Sequence, residues 1–259
     1  MKGDNLLIFI VGLTVGLLST VIGMGGGILM VPALTALSGL PQIEAMATSL
    51  ATIALVSSWN TWRYHRQSLV RWNIVIWVAL GSGICASIAG FIAPNLPEKV
   101  LVGLLILVLL ILAWKTFRIG SVKVKENSDK KKKHIIALAI GSLGGLIAGF
   151  TGIGGGGITT SLMLVTGITK NQTTVPTSNA IMIFTTAAGA ITYALHGNCN
   201  WPQLGLIHAD YSLLLAAGAV CSSFIGIRLN KIIPLKTRKT ILGFILLFIA
   251  LRLIFQIMS

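Results

Sequence analysis

Two runs of glycine interrupt what would otherwise be membrane-length apolar segments. They are Gly23-Met24-Gly25-Gly26-Gly27 and, 129 positions later, Gly152-Ile153-Gly154-Gly155-Gly156, followed by Gly157. Each glycine inside a helix costs about 1 kcal/mol relative to alanine, so four or five together break the helix. In a bilayer, backbone groups freed by a break must face protein or a watery hollow. Paired breaks at matching places in two halves of a chain are the sequence pointer to a transporter's substrate site.

The segments around the breaks set the class. With 54% of its 259 residues hydrophobic and only 10% charged, the chain is not a soluble domain. Apolar runs long enough to cross a bilayer cover 5–22, 43–62, 73–93, 97–114, 134–151, 174–195, 203–227 and 236–257, with shorter ones at 26–38 and 156–167. The first run has no small-residue cleavage site before the glycines, so it is expected to be retained. A net charge of +14 would fit nucleic acid on a soluble face. Here the basic residues fall in loops between apolar runs, the pattern of cytoplasmic loops, and nucleic acid is excluded. Cys85, Cys199 and Cys221 have no metal-ligand spacing. Paired-carboxylate, nucleophile-elbow, zinc-protease and phosphate-loop motifs are all missing. No enzyme activity and no cofactor are expected.

The two halves repeat. At an offset of 129, Gly12, Gly16 and Leu17 fall on Gly141, Gly145 and Leu146, Thr48-Ser49 on Thr177-Ser178, and Tyr64 on Tyr193. A slip of seven residues follows, so that Cys85 and Gly90 meet Cys221 and Gly226 at offset 136. The expected units are 1–118 and 134–259, joined by a basic linker at 119–133. If each glycine run tips a hairpin that returns to its own side, each unit holds a hairpin and three spans. An odd number of spans inverts the second unit. Seventeen of the 20 basic residues then lie inside, as the positive-inside rule demands. The expected fold is an all-α polytopic membrane protein of two inverted repeats, each a re-entrant glycine-tipped helical hairpin plus three transmembrane helices. The linker is expected in the cytoplasm and both termini outside. A homodimer is compatible with the sequence, and no motif specifies one.

A broken helix presents unpaired amides and the positive end of its dipole, and glycine lets a ligand approach that backbone closely. Such a tip can hold an anion without a charged side chain. Gly25, Gly26, Gly27, Gly154, Gly155, Gly156 and Gly157 are therefore candidate backbone donors. Thr48, Ser49, Thr177, Ser178 and Asn179, at the start of the span after each hairpin, are candidate side-chain donors. Gly12, Gly16, Gly141, Gly145 and Gly149 have the fourfold spacing of close helix packing. Arg63, His65 and Arg66 read as headgroup anchors or as recruiters of an anion. Glu44 reads as favouring a helix N-terminus, and His196, His208 and Asp210 as surface groups.

Through GLLSTVIGMGGGILMVPAL at 16–34 with Ala47-Thr48-Ser49, and GLIAGFTGIGGGG at 145–157 with Pro176-Thr177-Ser178, the chain resembles the TauE/SafE family of membrane permeases. The resemblance spans nearly the whole chain. It implies a plasma-membrane transporter of two related modules, with sulfite or organosulfonate anions as substrates and the glycine tips and Thr-Ser pairs at the site. Export by alternating access is the expectation. An importer or channel for another small anion, or a non-transporting scaffold, are the alternatives.

Overall fold

The computed structural model describes residues 2–22, 26–118, 130–197, 199–232 and 235–258. Among them the chain forms α1 (Lys2–Ile22), α2 (Gly27–Leu37), α3 (Gln42–His65), α4 (Trp72–Ile92) and α5 (Glu98–Arg118), then α6 (Lys130–Thr151), α7 (Gly156–Val165), α8 (Asn171–Ala194), α9 (Ala209–Ile232) and α10 (Leu235–Met258). Both glycine runs fall between a long helix and a short one, as their helix propensity requires. The Lys130–Lys133 run forms the first turn of α6, and residues 119–129 of the linker lie outside the described residues. Pro41 and Pro97 each precede a helix, where fixed φ and a missing N–H cost nothing. At α3 the first amide, Gln42 N–H, donates to Glu98 Oε1 at the start of α5 (3.1 Å).

Long-range packing pairs helices of one half with helices of the other. α1 lies along α9 and α6 along α4; α3 packs on α8 and α5 on α10. The seams are made by small residues. A Cβ on Gly12 or Gly16 would strike the α9 backbone at Leu215 or Ala219, and one on Gly141 or Gly145 would strike α4 at Val78 or Ser82. These glycines act in close packing, as their spacing implies. Leu215 and Val78, like Ala219 and Ser82, stand 137 positions apart, so the slip between halves is eight residues in this region rather than seven. Rising numbers on α1 meet rising numbers on α9, so those helices are parallel, and α6 and α4 likewise. α3 and α8 instead run antiparallel. Leu50 meets Gly189, and Asn60 meets Asn179.

The span expected over 203–227 begins only at Ala209. Before it, Cys199–Asn200, Gln203–Leu204 and Ile207–His208 form a small antiparallel sheet, β1 to β3, with Cys199 opposite Leu204 and Leu204 opposite Ile207. Gly205 turns the chain there at φ +61 against the Ala194 carbonyl, a conformation that favours glycine.

Burial is inverted relative to a soluble protein. Large apolar side chains face outward on α4 (Ile76, Leu80, Ile84, Phe91), α5 (Leu107, Ile111, Trp114) and α10 (Phe244, Phe248, Phe255), while threonines, serines and asparagines of α3 and α8 are buried. An apolar exterior of this extent is stable only in contact with lipid. Among the described residues, three stretches, Trp72–Asn95, Lys133–Thr151 and Ala209–Gly226, are long and apolar enough by themselves to cross a membrane. α3 and α8 fall short of that measure because their polar side chains sit in the middle of the bundle.

Candidate functional site

The second glycine break is built by three left-handed residues. Gly152, Gly154 and Gly155 have φ of +71, +81 and +68, and Gly155 caps α7. An L side chain is disfavoured at each position. Ser49 Oγ of α3 donates to Gly152 O at 2.9 Å. Ser178 Oγ of α8 donates to Gly156 O at 3.3 Å and lies 3.1 Å from Thr159 Oγ1. Two serines from opposite halves thus hold carbonyls of one break. By helix geometry the leading amides of α7, at Gly156 and Gly157, have no carbonyl a turn back within the helix.

Of the first break, Gly26 and Gly27 are described and Gly23 to Gly25 are not, so the candidate Gly25 lies outside the described residues. Gly26 caps α2, accepting from Leu29 N and Met30 N at 3.2 and 3.3 Å. Gly27 sits against the other break. A Cβ there would stand 2.5 Å from both Ile153 O and Ile53 Cδ1. The two breaks therefore meet beside the middle of α3.

Thr48 and Thr177 are fully buried, and the structure does not bring them together. Thr48 Oγ1 accepts from His208 N (3.0 Å) just before α9. Thr177 Oγ1 accepts from Arg71 N (3.2 Å) just before α4. Because α3 and α8 are antiparallel, the two hydroxyls stand roughly 20 Å apart along the bundle. Each pins the start of a helix from the other half. Glu44 and His208 form a pair that their separate sequence readings do not anticipate, with His208 Nε2 2.7 Å from Glu44 Oε2.

A narrow cavity opens beside the first break, lined by Gly16, Gly26, Met30, Ile53, Val56, Ser57, Asn60, Asn179 and Ala219. Its polar wall is carboxamide and hydroxyl. Asn60 Nδ2 lies 3.5 Å from Asn179 Oδ1, and Asn179 Nδ2 donates to Val175 O at 3.0 Å. Asn60 and Ser57 are absent from the sequence reading. Their signal is two polar side chains one turn apart in the second half of the 43–62 run. Among the described residues that line it there is no carboxylate, and its polar groups are the Asn60 and Asn179 carboxamides and the Ser57 hydroxyl.

A helical bundle with an apolar exterior, a polar core and two broken helices that meet beside a cavity is a polytopic membrane transporter. The chain belongs to the family described as sulfite exporter TauE/SafE, which it matches over residues 8–253. It is 27% identical to a probable membrane transporter protein of Methanocaldococcus jannaschii over 250 residues, covering 93% of this chain and 91% of that one. Its identity to the probable membrane transporter protein YunE of Bacillus subtilis is 25% over 273 residues, covering 96% and 97%. A probable membrane transporter protein of Haemophilus influenzae is 31% identical over 258 residues, covering 94% and 93%. No solved structure matches the chain.

Proposed function

We propose that this transporter exports a small sulfur oxyanion, sulfite or an organosulfonate, across the plasma membrane by alternating access between two inverted units. The observation that carries this reading is the meeting of the two glycine breaks, Gly27 against Ile153 O, beside a cavity walled by Gly26, Asn60 and Asn179. Helix starts from two hairpins then direct their positive dipole ends toward one region. Inversion is supported by the antiparallel course of α3 and α8, which occupy the same place in each unit. The hairpins are re-entrant in this reading, with the basic linker in the cytoplasm and both termini outside. Gly26, Gly27, Gly155, Gly156 and Gly157 supply backbone donors and Asn179 a side-chain donor. Ser49, Ser178 and Gly154 shape the break, and Thr48 and Thr177 hold the frame. An interior-negative potential favours anion export by about 2.3 kcal/mol per charge per 100 mV, so no ATP is required.

The test is sulfite efflux from proteoliposomes under an imposed potential. Efflux should be saturable, should accelerate with an interior-negative potential, and should vanish in Gly26→Leu and Gly155→Leu proteins that still insert. Potential-driven uptake coupled to a cation would make the protein an importer. Full flux in both variants would remove the glycine breaks from the pathway.

A further inference from the structure

The α3–α9 and α8–α4 seams occupy corresponding places in the two halves, yet they are built from side chains of different size. On the α8–α4 seam, Ala188 lies near Gly83 and Thr192 near Gly90. The counterparts of Ala188 and Thr192, 129 positions back, are Trp59 and Arg63. Both rest on one ring of α9. Phe224 is 6.2 Å from the Trp59 ring centre and 4.8 Å from Arg63 Cζ. These bulky groups occupy the α3–α9 seam one turn beyond Asn60 and Val56, which line the cavity.

Among the described residues, Trp59 Nε1 and Arg63 Nη1 are buried and have no hydrogen-bond partner. Both groups only donate, so the partner they lack is an acceptor, and the guanidinium makes it an anion. The protein's own carboxylates on these two helices are distant. Glu44 is 19 residues from Arg63 along α3, about 28 Å, and Asp210 is 14 residues from Phe224 along α9, about 21 Å. Arg63 as a whole is half-buried and stands in the last turn of α3, ahead of Arg66 and Arg71.

We propose that Trp59 and Arg63 form an oxyanion-binding port at the mouth of the cavity, separate from the glycine breaks. It receives the anion before Asn60 and Asn179 do. The planar guanidinium and the indole N–H together match a solute with two or more acceptor oxygens on one atom, as in sulfite or a sulfonate. Chloride is a single acceptor atom and lacks that two-oxygen match to the guanidinium. The identity of the anion rests on the transport reading above, and the port itself does not.

The experiment uses full-length protein in discs of phosphatidylcholine, titrated with sodium sulfite against sodium chloride at equal ionic strength, with tryptophan fluorescence as readout. The same variants are then assayed for sulfite flux in proteoliposomes. A saturable sulfite response that disappears in Trp59→Phe and in Arg63→Gln is expected. Both variants should raise the half-saturating sulfite concentration for flux about tenfold with little change in maximal rate. Arg63→Lys should retain part of the affinity. Wild-type fluorescence response and half-saturation in both variants would overturn the port while leaving transport intact. A saturable, Arg63-dependent response in a protein that moves no sulfite would support the port and overturn the transport reading. A headgroup phosphate offers similar oxygens. An Arg63-dependent response to phosphatidylglycerol discs, with none to sulfite in phosphatidylcholine, would assign the pair to lipid and overturn the port.

Discussion

Three glycine-to-alanine variants separate backbone strain from steric conflict at the second break. Gly155 stands at φ +68, where an L residue is about 1–2 kcal/mol less stable than in the right-handed region. Its new Cβ would also stand 2.6 Å from Gly144 O and 3.2 Å from Gly144 C. Those are backbone atoms of α6 and cannot rotate aside. Overpacking of this kind costs about 1–3 kcal/mol, so Gly155→Ala should cost about 2–5 kcal/mol. Gly39 has φ +64 and open space around it, so Gly39→Ala carries the strain alone, about 1–2 kcal/mol. Gly103 lies inside α5 with nothing near its Cβ position, and Gly103→Ala should gain about 0.5–1 kcal/mol. Thermal unfolding of the three purified proteins in one detergent should rank them Gly103→Ala, wild type, Gly39→Ala, Gly155→Ala. At roughly 2–4 °C per kcal/mol for a chain near this size, Gly155→Ala should melt about 4–20 °C below wild type. Sulfite flux should fall with it and survive in the other two. A Gly155→Ala protein that melts with Gly39→Ala would refute the close approach of α6 to the break.

Ser49→Ala removes the hydroxyl that meets Gly152 O inside the bundle, at a cost of about 1–3 kcal/mol. Adding Ser178→Ala should cost less than the sum of the single changes, since both hold one break, as a thermal-melt double-mutant cycle would show. Thr48→Val strands the amide of His208 and Thr177→Val that of Arg71, each at about 1–3 kcal/mol. Both should lower melting temperature without changing the half-saturating sulfite concentration, and a shift in that concentration would return these threonines to the substrate.

The helices, their order and the two breaks are legible because the forces that set them are local. Consecutive glycines end a helix wherever they fall, and glycines at fourfold spacing admit a second backbone. The exchange of partners between halves is not local. Nothing near Gly16 states that Ala219 fills the groove against it. Thr48 and Thr177 were readable as paired hydroxyls, but whether a buried hydroxyl meets a solute or a neighbouring amide depends on the chain that arrives later. Asn60 escaped because it stands within two turns of a basic loop, where a polar residue is unremarkable. Only the antiparallel crossing of α3 and α8 sets it against Asn179. The apolar content of residues 203–208 predicts helix, whereas Gly205 and Pro202 favour the turn and strand that form.

The unequal seams bear on how an anion could cross. The cavity borders α3 and α9, while the corresponding α8–α4 seam is closed by Ser82 Oγ and Thr185 Oγ1 at 2.6 Å. The counterparts of that pair, Ala219 and Val56, stand on the cavity wall. Differences between the seams can set the affinities on the two faces, but in the uncoupled export proposed above net movement still follows the anion gradient and the membrane potential. If the transporter alternates, the α8–α4 seam must part in each cycle, and a bond across it must stop transport. With Cys85, Cys199 and Cys221 replaced by serine, Ser82→Cys with Thr185→Cys should carry sulfite when reduced and lose flux when oxidised. A reductant should restore it. Val56→Cys with Ala219→Cys should behave in the same way from the cavity side. Full flux through an oxidised Ser82→Cys/Thr185→Cys protein would mean that this seam stays shut throughout the cycle, and the anion would have to leave by a route other than the counterpart of the one it entered.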